Sequence, residues 1–355
     1  MNILFTSGRE TEYIRNKIVL QLMIEFANVK VILNSSSSIT FNTLKSFYAV
    51  RRLDLKEFLI WAGFLGQGIA LALAASRFER APIVLDAYVS LYDTLCEDRL
   101  IVKRNSLSSY LIYYLEKLAL MKSNLIVTDT LSNANFFIKK FNLNSEKVRK
   151  LYVGCDESLF TPIKTNKFGD TIEVFTYNSF LNLHGNEVIV QAAEKISRNN
   201  KNIKFIIGGS GKNFNRIVKY ALERKVENVK FIGWIPMQAL PAWIARADIC
   251  LGGHFAALPK SARVIPTKAF QFIAMQKPTI LGDGEGNREL FTHGVNSYLT
   301  PLGDSDALAE AIAVLADAPK QRDLIAEGGR ALFEQRLSKR VLTCELQSCL
   351  QGIQL

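Results

Sequence analysis

Residues 264–291 read VIPTKAFQFIAMQKPTILGDGEGNRELF, and their types and spacing suit the binding of an anion. Lys268 supplies a cation just past Pro266, Gln271 an amide one helical turn further on, and Gly282, Gly284 and Gly286 clear side chains from a loop that ends at Asn287. The apolar run 269–275 predicts a helix that Pro266 opens, because proline has no N–H to lose in a first turn. Pro278 ends it, since the residue before a proline is driven out of helical geometry. Residues 279–281 then predict a short buried strand, 282–286 a flexible loop, and Asn287 the cap of a helix through Leu290. A strand that delivers a glycine loop to a helix N-terminus cradles an anion, usually a phosphate.

Three other stretches carry chemistry. Residues 208–212, GGSGK, follow an apolar run and precede a helical pattern, a weaker version of the same cradle centred on Gly209. Asp86 stands directly after the apolar run 82–85, where a parallel sheet presents its carboxyl edge to ligands. Ser7-Gly8-Arg9 follows the first apolar run in the same way. Capping of the next helix is the plainer role for Asp86 and for Asp93.

These residues are positioned by a repeating alternation. Strands at 2–6, 29–33, 58–62, 82–85, 123–129 and 147–154 alternate with helices at 12–26, 69–77, 100–121 and 133–141. After a polar stretch at 163–170 the pattern restarts, with strands at 172–177, 204–207, 229–235 and 248–251 and helices at 186–198, 215–225 and 240–247. Such alternation predicts doubly wound parallel sheets, hence an α/β chain of two domains, 1–165 and 166–338, with a last helix within 339–355. Residues 58–76 hold no charge and are long enough to span a membrane, but three glycines and a glutamine at the centre favour strand, turn and helix.

Residues 264–291 resemble the donor-binding segment of glycosyltransferase family 4, which typically reads P-x-K-x-x-E-x-x-A-x-x-K-P-V-I-x-x-D-x-x-x-x-R-E-L. Pro266, Lys268, Ala274, Lys277, Pro278, Ile280, Asp283, Arg288, Glu289 and Leu290 match it. Residues 154–162 resemble the family's G-x-D-x-x-x-F-x-P, and 229–235 its V-x-F-x-G-x-V. The resemblance covers almost the whole chain. It implies the GT-B fold of two Rossmann-like domains facing across a cleft, with the last helix crossing back to the first domain. It also implies a retaining, metal-independent glycosyltransferase that uses a nucleotide-sugar co-substrate, a UDP- or GDP-sugar, and no further cofactor.

On this resemblance the base rests near Trp234 and Ile235 and the ribose on Gln271. The diphosphate lies among Gly8, Gly209, Ser179, His184, Lys268 and Arg263. The sugar is met by Gly284, Glu285 and Gly286, with Asp86 the polar group near the reacting carbon. The acceptor class is a glycan or a lipid-linked glycan. Two departures are visible. The family's glutamate pair, E-x7-E, is replaced by Arg263 and Gln271. Its G-R-x-x-x-x-K-G is replaced by Asn178-Ser179 and His184-Gly185, as in a subgroup with P-L-H-G, so Lys268 or Arg263 must supply the positive charge. A sugar-nucleotide epimerase or hydrolase, and a non-catalytic member that binds nucleotide sugar or a partner protein, remain as alternatives.

Composition is consistent with this. The 355 residues are 48% hydrophobic and 22% charged, with a net charge of +11. The excess is spread, 21 Lys and Arg against 15 Asp and Glu in residues 1–165 and 23 against 18 beyond. It favours anionic partners: phosphate-bearing small molecules or an acidic membrane surface, the latter through the basic amphipathic stretch 100–122. No Lys/Arg run interleaved with aromatics marks a nucleic-acid patch. Five scattered cysteines without Cys-x-x-Cys, and an N-terminal apolar run too short for a signal peptide, lead to the expectation of a cytoplasmic protein, peripheral at the inner membrane face if it docks there. His254 and His293 are expected to be structural, and no histidines sit at metal-ligand spacing.

Overall fold

The computed structural model describes residues 1–55, 57–75, 81–165, 169–198 and 202–353. By internal contacts the chain divides into one unit of Met1–Val153 with Lys339–Leu355 and a second of Gly154–Ser338. The division therefore falls ahead of the polar stretch 163–170, of which 166–168 lie outside the described residues. Phe160 is buried and the Thr165 hydroxyl donates to the Ala245 carbonyl at 3.1 Å, which ties this segment to the second unit.

The first unit runs β1 (Asn2–Ser7), α1 (Ile14–Met23), β2 (Asn28–Val31), α2 (Ile39–Val50), β3 (Phe58–Gly63), α3 (Gln67–Ala75), β4 (Ile83–Asp86), α4 (Leu107–Lys122), β5 (Leu125–Thr128), α5 (Leu131–Phe141) and β6 (Val148–Lys150). Among the described residues the strands form one parallel sheet in the order β2-β1-β3-β4-β5-β6. Its inner strands are continuous apolar runs because helices cover both faces. Leu4, Ile60, Leu85 and Ile126 pack against Ile69, Leu120 and Phe137 in the core.

Two differences from the sequence reading have local causes, while the uncharged segment follows it. Helix α2 was not anticipated; the Ser38 hydroxyl accepts from the Phe41 amide and caps it. Helix α4 starts at Leu107 rather than 100, because Leu100 and Asn105 take positive φ and Ser106 is the cap. The uncharged segment forms β3, a turn and α3, with residues 76 and 77 outside the described residues. Among the described residues no helix is long and apolar enough to cross a membrane. The final helix, α14 (Lys339–Leu350), lies against α1 and belongs to this unit, with ion pairs from Lys339 to Glu25 and from Lys150 to Glu345.

The second unit runs β7 (Ile172–Asn178), α6 (Asn186–Arg198), β8 (Ile203–Gly209), α7 (Phe214–Glu223), β9 (Val229–Gly233), α8 (Leu240–Arg246), β10 (Ile249–Gly253), α9 (Pro259–Arg263), α10 (Thr267–Ala274), β11 (Thr279–Gly282), α11 (Glu285–Arg288), β12 (Tyr298–Thr300), α12 (Ser305–Asp317) and α13 (Pro319–Arg336). The parallel sheet has the order β12-β11-β10-β7-β8-β9 among the described residues. Val174, Phe205, Leu251 and Ile280 pack against Ile189, Ile217, Leu308 and Ile312. The chain leaves β7 toward β8 on one side and returns to β10 on the other. That reversal is where α/β sheets open a crevice beyond their carboxyl ends.

Candidate functional site

The end of β7 is the anchor of this crevice. Asn178 and Asn186 exchange side-chain hydrogen bonds, the Asn178 amide donating at 2.9 Å and that of Asn186 at 3.1 Å, while Asn178 Oδ1 also accepts from the Phe180 amide at 2.8 Å. This locks the turn leading to Ser179 and to the 3₁₀ turn Asn182–His184. The Ser179 hydroxyl lies 3.2 Å from His184 Nε2. Helix α9 closes against this turn through Ser261, whose hydroxyl donates to the Leu183 carbonyl at 3.3 Å. Gly209, at the end of β8, has φ +120°, and a Cβ there would overlap the carbonyl of Asn178.

Lys268 projects from α10 into the same place. It is 5% exposed, and its ammonium donates to the Tyr177 carbonyl at 3.1 Å and the Thr176 hydroxyl at 3.4 Å. Both acceptors are uncharged, and no carboxylate pairs with it among the described residues. Burial pushes the Lys268 amine down to about 7. Gly253, at the end of β10 with φ +71°, leaves the room this side chain uses: a Cβ there would lie 3.3 Å from Lys268 Cε. The sequence left open whether Lys268 is a solvated surface residue; it is buried.

His254 joins His184 here, their rings 5.2 Å apart. Burial holds both imidazoles well below the usual histidine range, and the Lys268 charge pushes them the same way. They are neutral at pH 7, and the Nδ1 atoms of both are buried without a hydrogen-bond partner among the described residues. From sequence His254 is expected to be structural, and its one signal otherwise is its place after the Gly252-Gly253 strand end. His293 does serve structure, its Nδ1 lying 3.2 Å from the Leu299 amide and carbonyl and its ring on Tyr298.

Other expected residues fall around this centre in different ways. Gln271 is buried and its amide oxygen accepts from the Tyr177 hydroxyl. Ile235 lies against Gly208, whereas Trp234 is 69% exposed beyond β9. Arg263 ends α9, half-buried. The loop expected at 282–286 is shorter and firmer: Gly282 is the last residue of β11, Gly284 caps α11, and Glu285 is its exposed first residue. A Cβ at Gly284 or Gly286 would strike the backbone of Ala262 or Arg263. These glycines allow α9 and α11 to touch. Asn287 is not the cap but a buried residue within α11, donating to the Gly282 carbonyl at 2.7 Å.

Gly8 and Asp86 belong to the first unit. Gly8 follows β1, where its amide donates to the Phe64 carbonyl at 3.0 Å and a Cβ would strike Leu65. Asp86 is fully buried, and both carboxylate oxygens accept from Arg15 of α1. The carboxylate expected from the sequence near the reacting carbon is thus held in a buried ion pair with Arg15. Neither Arg15 nor the buried Glu116 of α4, which accepts from the Leu91 and Tyr92 amides at 2.8 Å, was anticipated. Among the described residues no group of three or more His, Cys, Asp or Glu is placed to hold a metal ion.

Two six-stranded parallel sheets flanked by helices, in these strand orders, are the architecture of the GT-B fold, as the solved structures below bear out. The family model for glycosyl transferases group 1 matches residues 159–332, nearly all of the second unit. Over those residues the chain matches the glycosyl transferases group 1 model, and its architecture is the GT-B fold. It is similar to crystal structures of Anabaena Alr3699/HepE in complex with UDP (TM-score 0.75, 17% identity, 99% of this chain and 100% of that one). It is also similar to sucrose-phosphate synthase from Thermosynechococcus elongatus (TM-score 0.77, 15% identity, 99% and 98%).

Among curated relatives, amylovoran biosynthesis glycosyltransferase AmsK of Erwinia amylovora is 20% identical over 210 residues, 59% of this chain and 52% of that protein. The α-D-kanosaminyltransferase of Streptomyces kanamyceticus is 23% identical over 149 residues, 42% of this chain and 37% of that protein. The matches thus span about half the length of the first relative and less of the second.

Proposed function

We propose that this protein transfers a sugar from a nucleotide-sugar donor, a UDP-sugar before a GDP-sugar, to a glycan or lipid-linked glycan acceptor, with retention at the anomeric carbon. The observation that carries the reading is Lys268. A buried amine bonded only to uncharged acceptors is costly, and an anion at the same place offsets the cost. The diphosphate of the donor is such an anion. The two neutral imidazoles beside it can each donate an N–H, and the turn after β7 offers further donors. When the bond from the anomeric carbon to the diphosphate breaks, negative charge grows on the leaving phosphate. Donors already in place stabilise that charge without reorganising. The acceptor hydroxyl forms the new bond to the anomeric carbon on the same face and passes its proton to the departing phosphate oxygen. On this reading the charge is met by Lys268 and hydrogen-bond donors, with no metal ion required.

Complexes of similar proteins with UDP and with UDP-glucose support the choice of base. The test is a thermal-shift panel of UDP-, GDP-, ADP- and dTDP-sugars on wild type and Lys268→Ala, with and without a chelator. Stabilisation by one base, unchanged by the chelator and reduced in the variant, is the expected result. A cooperatively melting protein that no donor stabilises would sink the reading. The occupied carboxylate of Asp86 favours a second reading, donor binding without transfer. Donor binding with no product from any glycan acceptor would establish that one.

A further inference from the structure

Helix α4 is built inside out for a helix on the surface of a soluble unit. Of its nine exposed positions, seven carry Leu, Tyr or Met, and only Ser108 and Lys122 are otherwise. Leu107 is 87% exposed, and Leu111, Tyr114, Leu115, Leu118 and Met121 continue the stripe at helical spacing for the full length of the helix. Its one carboxylate, Glu116, points the other way and is used up inside the unit, accepting from the Ser90 hydroxyl and the Leu91 and Tyr92 amides. Helix α2 packs on α3 as α4 does, and it exposes Phe41, Leu44 and Tyr48 with Lys45 among them. Contiguous exposed apolar faces of this kind mark a docking surface.

The charges around the stripe decide what docks. Arg99, Lys103 and Arg104 are exposed just ahead of α4, beside the exposed Leu100 and Ile101, and Lys122 is exposed at its end. Of the two acids next to this rim in sequence, Asp98 is half-buried and Glu97 is engaged by Lys140 at 2.7 Å, so Arg99, Lys103, Arg104 and Lys122 leave the exposed rim with a net positive charge. A second copy of the chain meeting this face about a twofold axis would set cations against cations. A bilayer with anionic headgroups complements them, while its acyl boundary takes the leucines and its interface suits tyrosine. We infer that α4 and the basic segment 99–104 dock the first unit onto an anionic lipid surface. The helix that touches lipid is then the same one whose inner face holds the loop after β4. Docking needs neither donor nor turnover, so this inference stands apart from the reading of the second unit.

The experiment is co-sedimentation of the full chain with vesicles of phosphatidylcholine containing about a third phosphatidylglycerol, against phosphatidylcholine alone. The expected result is binding to the anionic vesicles that falls about tenfold in the neutral ones and in high salt. Leu111→Glu with Leu115→Glu should lower it by about as much, with the melting temperature and any donor-induced shift unchanged, because both side chains are exposed. Absence of binding to anionic vesicles, or equal binding by the double variant, would overturn the inference. So would a wild type that fails to bind vesicles and elutes as a dimer which the same substitutions make monomeric.

Discussion

Arg15 grips Asp86 with two parallel hydrogen bonds inside the first unit, Nε to Oδ2 at 2.9 Å and Nη2 to Oδ1 at 3.2 Å, and both side chains are fully buried. Nη1 adds a bond to the Leu151 carbonyl at 3.0 Å, so one guanidinium joins α1, the end of β4 and the strand-like run after β6.

The pair should behave as structure. Breaking a buried pair by removing one partner leaves an uncompensated charge and costs about 3–5 kcal/mol, whereas replacing both with apolar groups is often close to neutral. Arg15→Met alone should therefore lower the urea midpoint of the first unit strongly, and Arg15→Met with Asp86→Leu should recover most of the loss. Donor binding, read by titration with UDP, should be unchanged in the double variant. An Asp86→Asn protein with full stability and no turnover would return the carboxylate to the reaction.

Lys268 predicts a pH dependence with a definite sign. Its native amine titrates at about 7, pushed down by burial, while in the unfolded chain it titrates near 10.4. Between these values the unfolded chain holds the proton and the native one does not, so stability contributed by this group rises with pH from about 7 and levels off near 10. Below about 7 both states are protonated and the burial cost is fully present. Lys268→Met should remove this slope and be more stable than wild type at pH 6. Affinity for UDP should run the other way, falling up to about tenfold per pH unit above 7, because the diphosphate needs the charged amine. Titration calorimetry across pH 6–9 checks both signs, and a flat affinity profile in wild type would remove Lys268 from the phosphate site.

Much of this architecture could be read before any coordinates. Parallel strands covered on both faces must be continuous apolar runs, which is why 203–209 and 58–63 are legible, and Pro266 and Pro278 punctuate α10 without help from the fold. Helix α2 was missed because ITFNTLKSFYAV is rich in β-branched and aromatic residues, which carry little helical signal until Ser38 caps them. Two residues have distant partners that no local pattern reveals. Asp86 looked available because Arg15 lies 71 residues away, and His254 looked structural because His184 comes beside it only through the folding of the β7 turn against β10. The helix start at Glu285 was misplaced because Asn287 is a good cap type whose side chain turns inward to Gly282 instead.

Gly209 offers a test of the cradle that does not touch a charge. Its φ of +120° and the Asn178 carbonyl at the place a Cβ would take mean that Gly209→Ala must move the β8 loop away from the β7 turn. A strained backbone position of this type costs about 1–3 kcal/mol. The variant should stay folded, lose melting temperature, and lose UDP affinity by more than its stability alone explains. Retained affinity at reduced stability would show that the loop is a packing element only.

Trp234 is the last residue whose role the structure sharpens. Tryptophans near strand ends are usually core, yet this one is 69% exposed while its neighbour Ile235 fills the space over Gly208. An exposed indole at the carboxyl edge of β9 can stack on a planar base, an interaction worth about 1–3 kcal/mol per base. Trp61 is fully buried, and the half-buried Trp243 lies against Phe175, so neither is free to report on ligand in the same way. Addition of UDP should quench the fluorescence of wild type, and Trp234→Phe should abolish most of the quench with little loss of affinity. Trp234→Ala should weaken UDP about tenfold while leaving stability within about 0.5 kcal/mol, as for other surface changes. Equal affinity in the alanine variant would leave the base to be held by the backbone around Ile235.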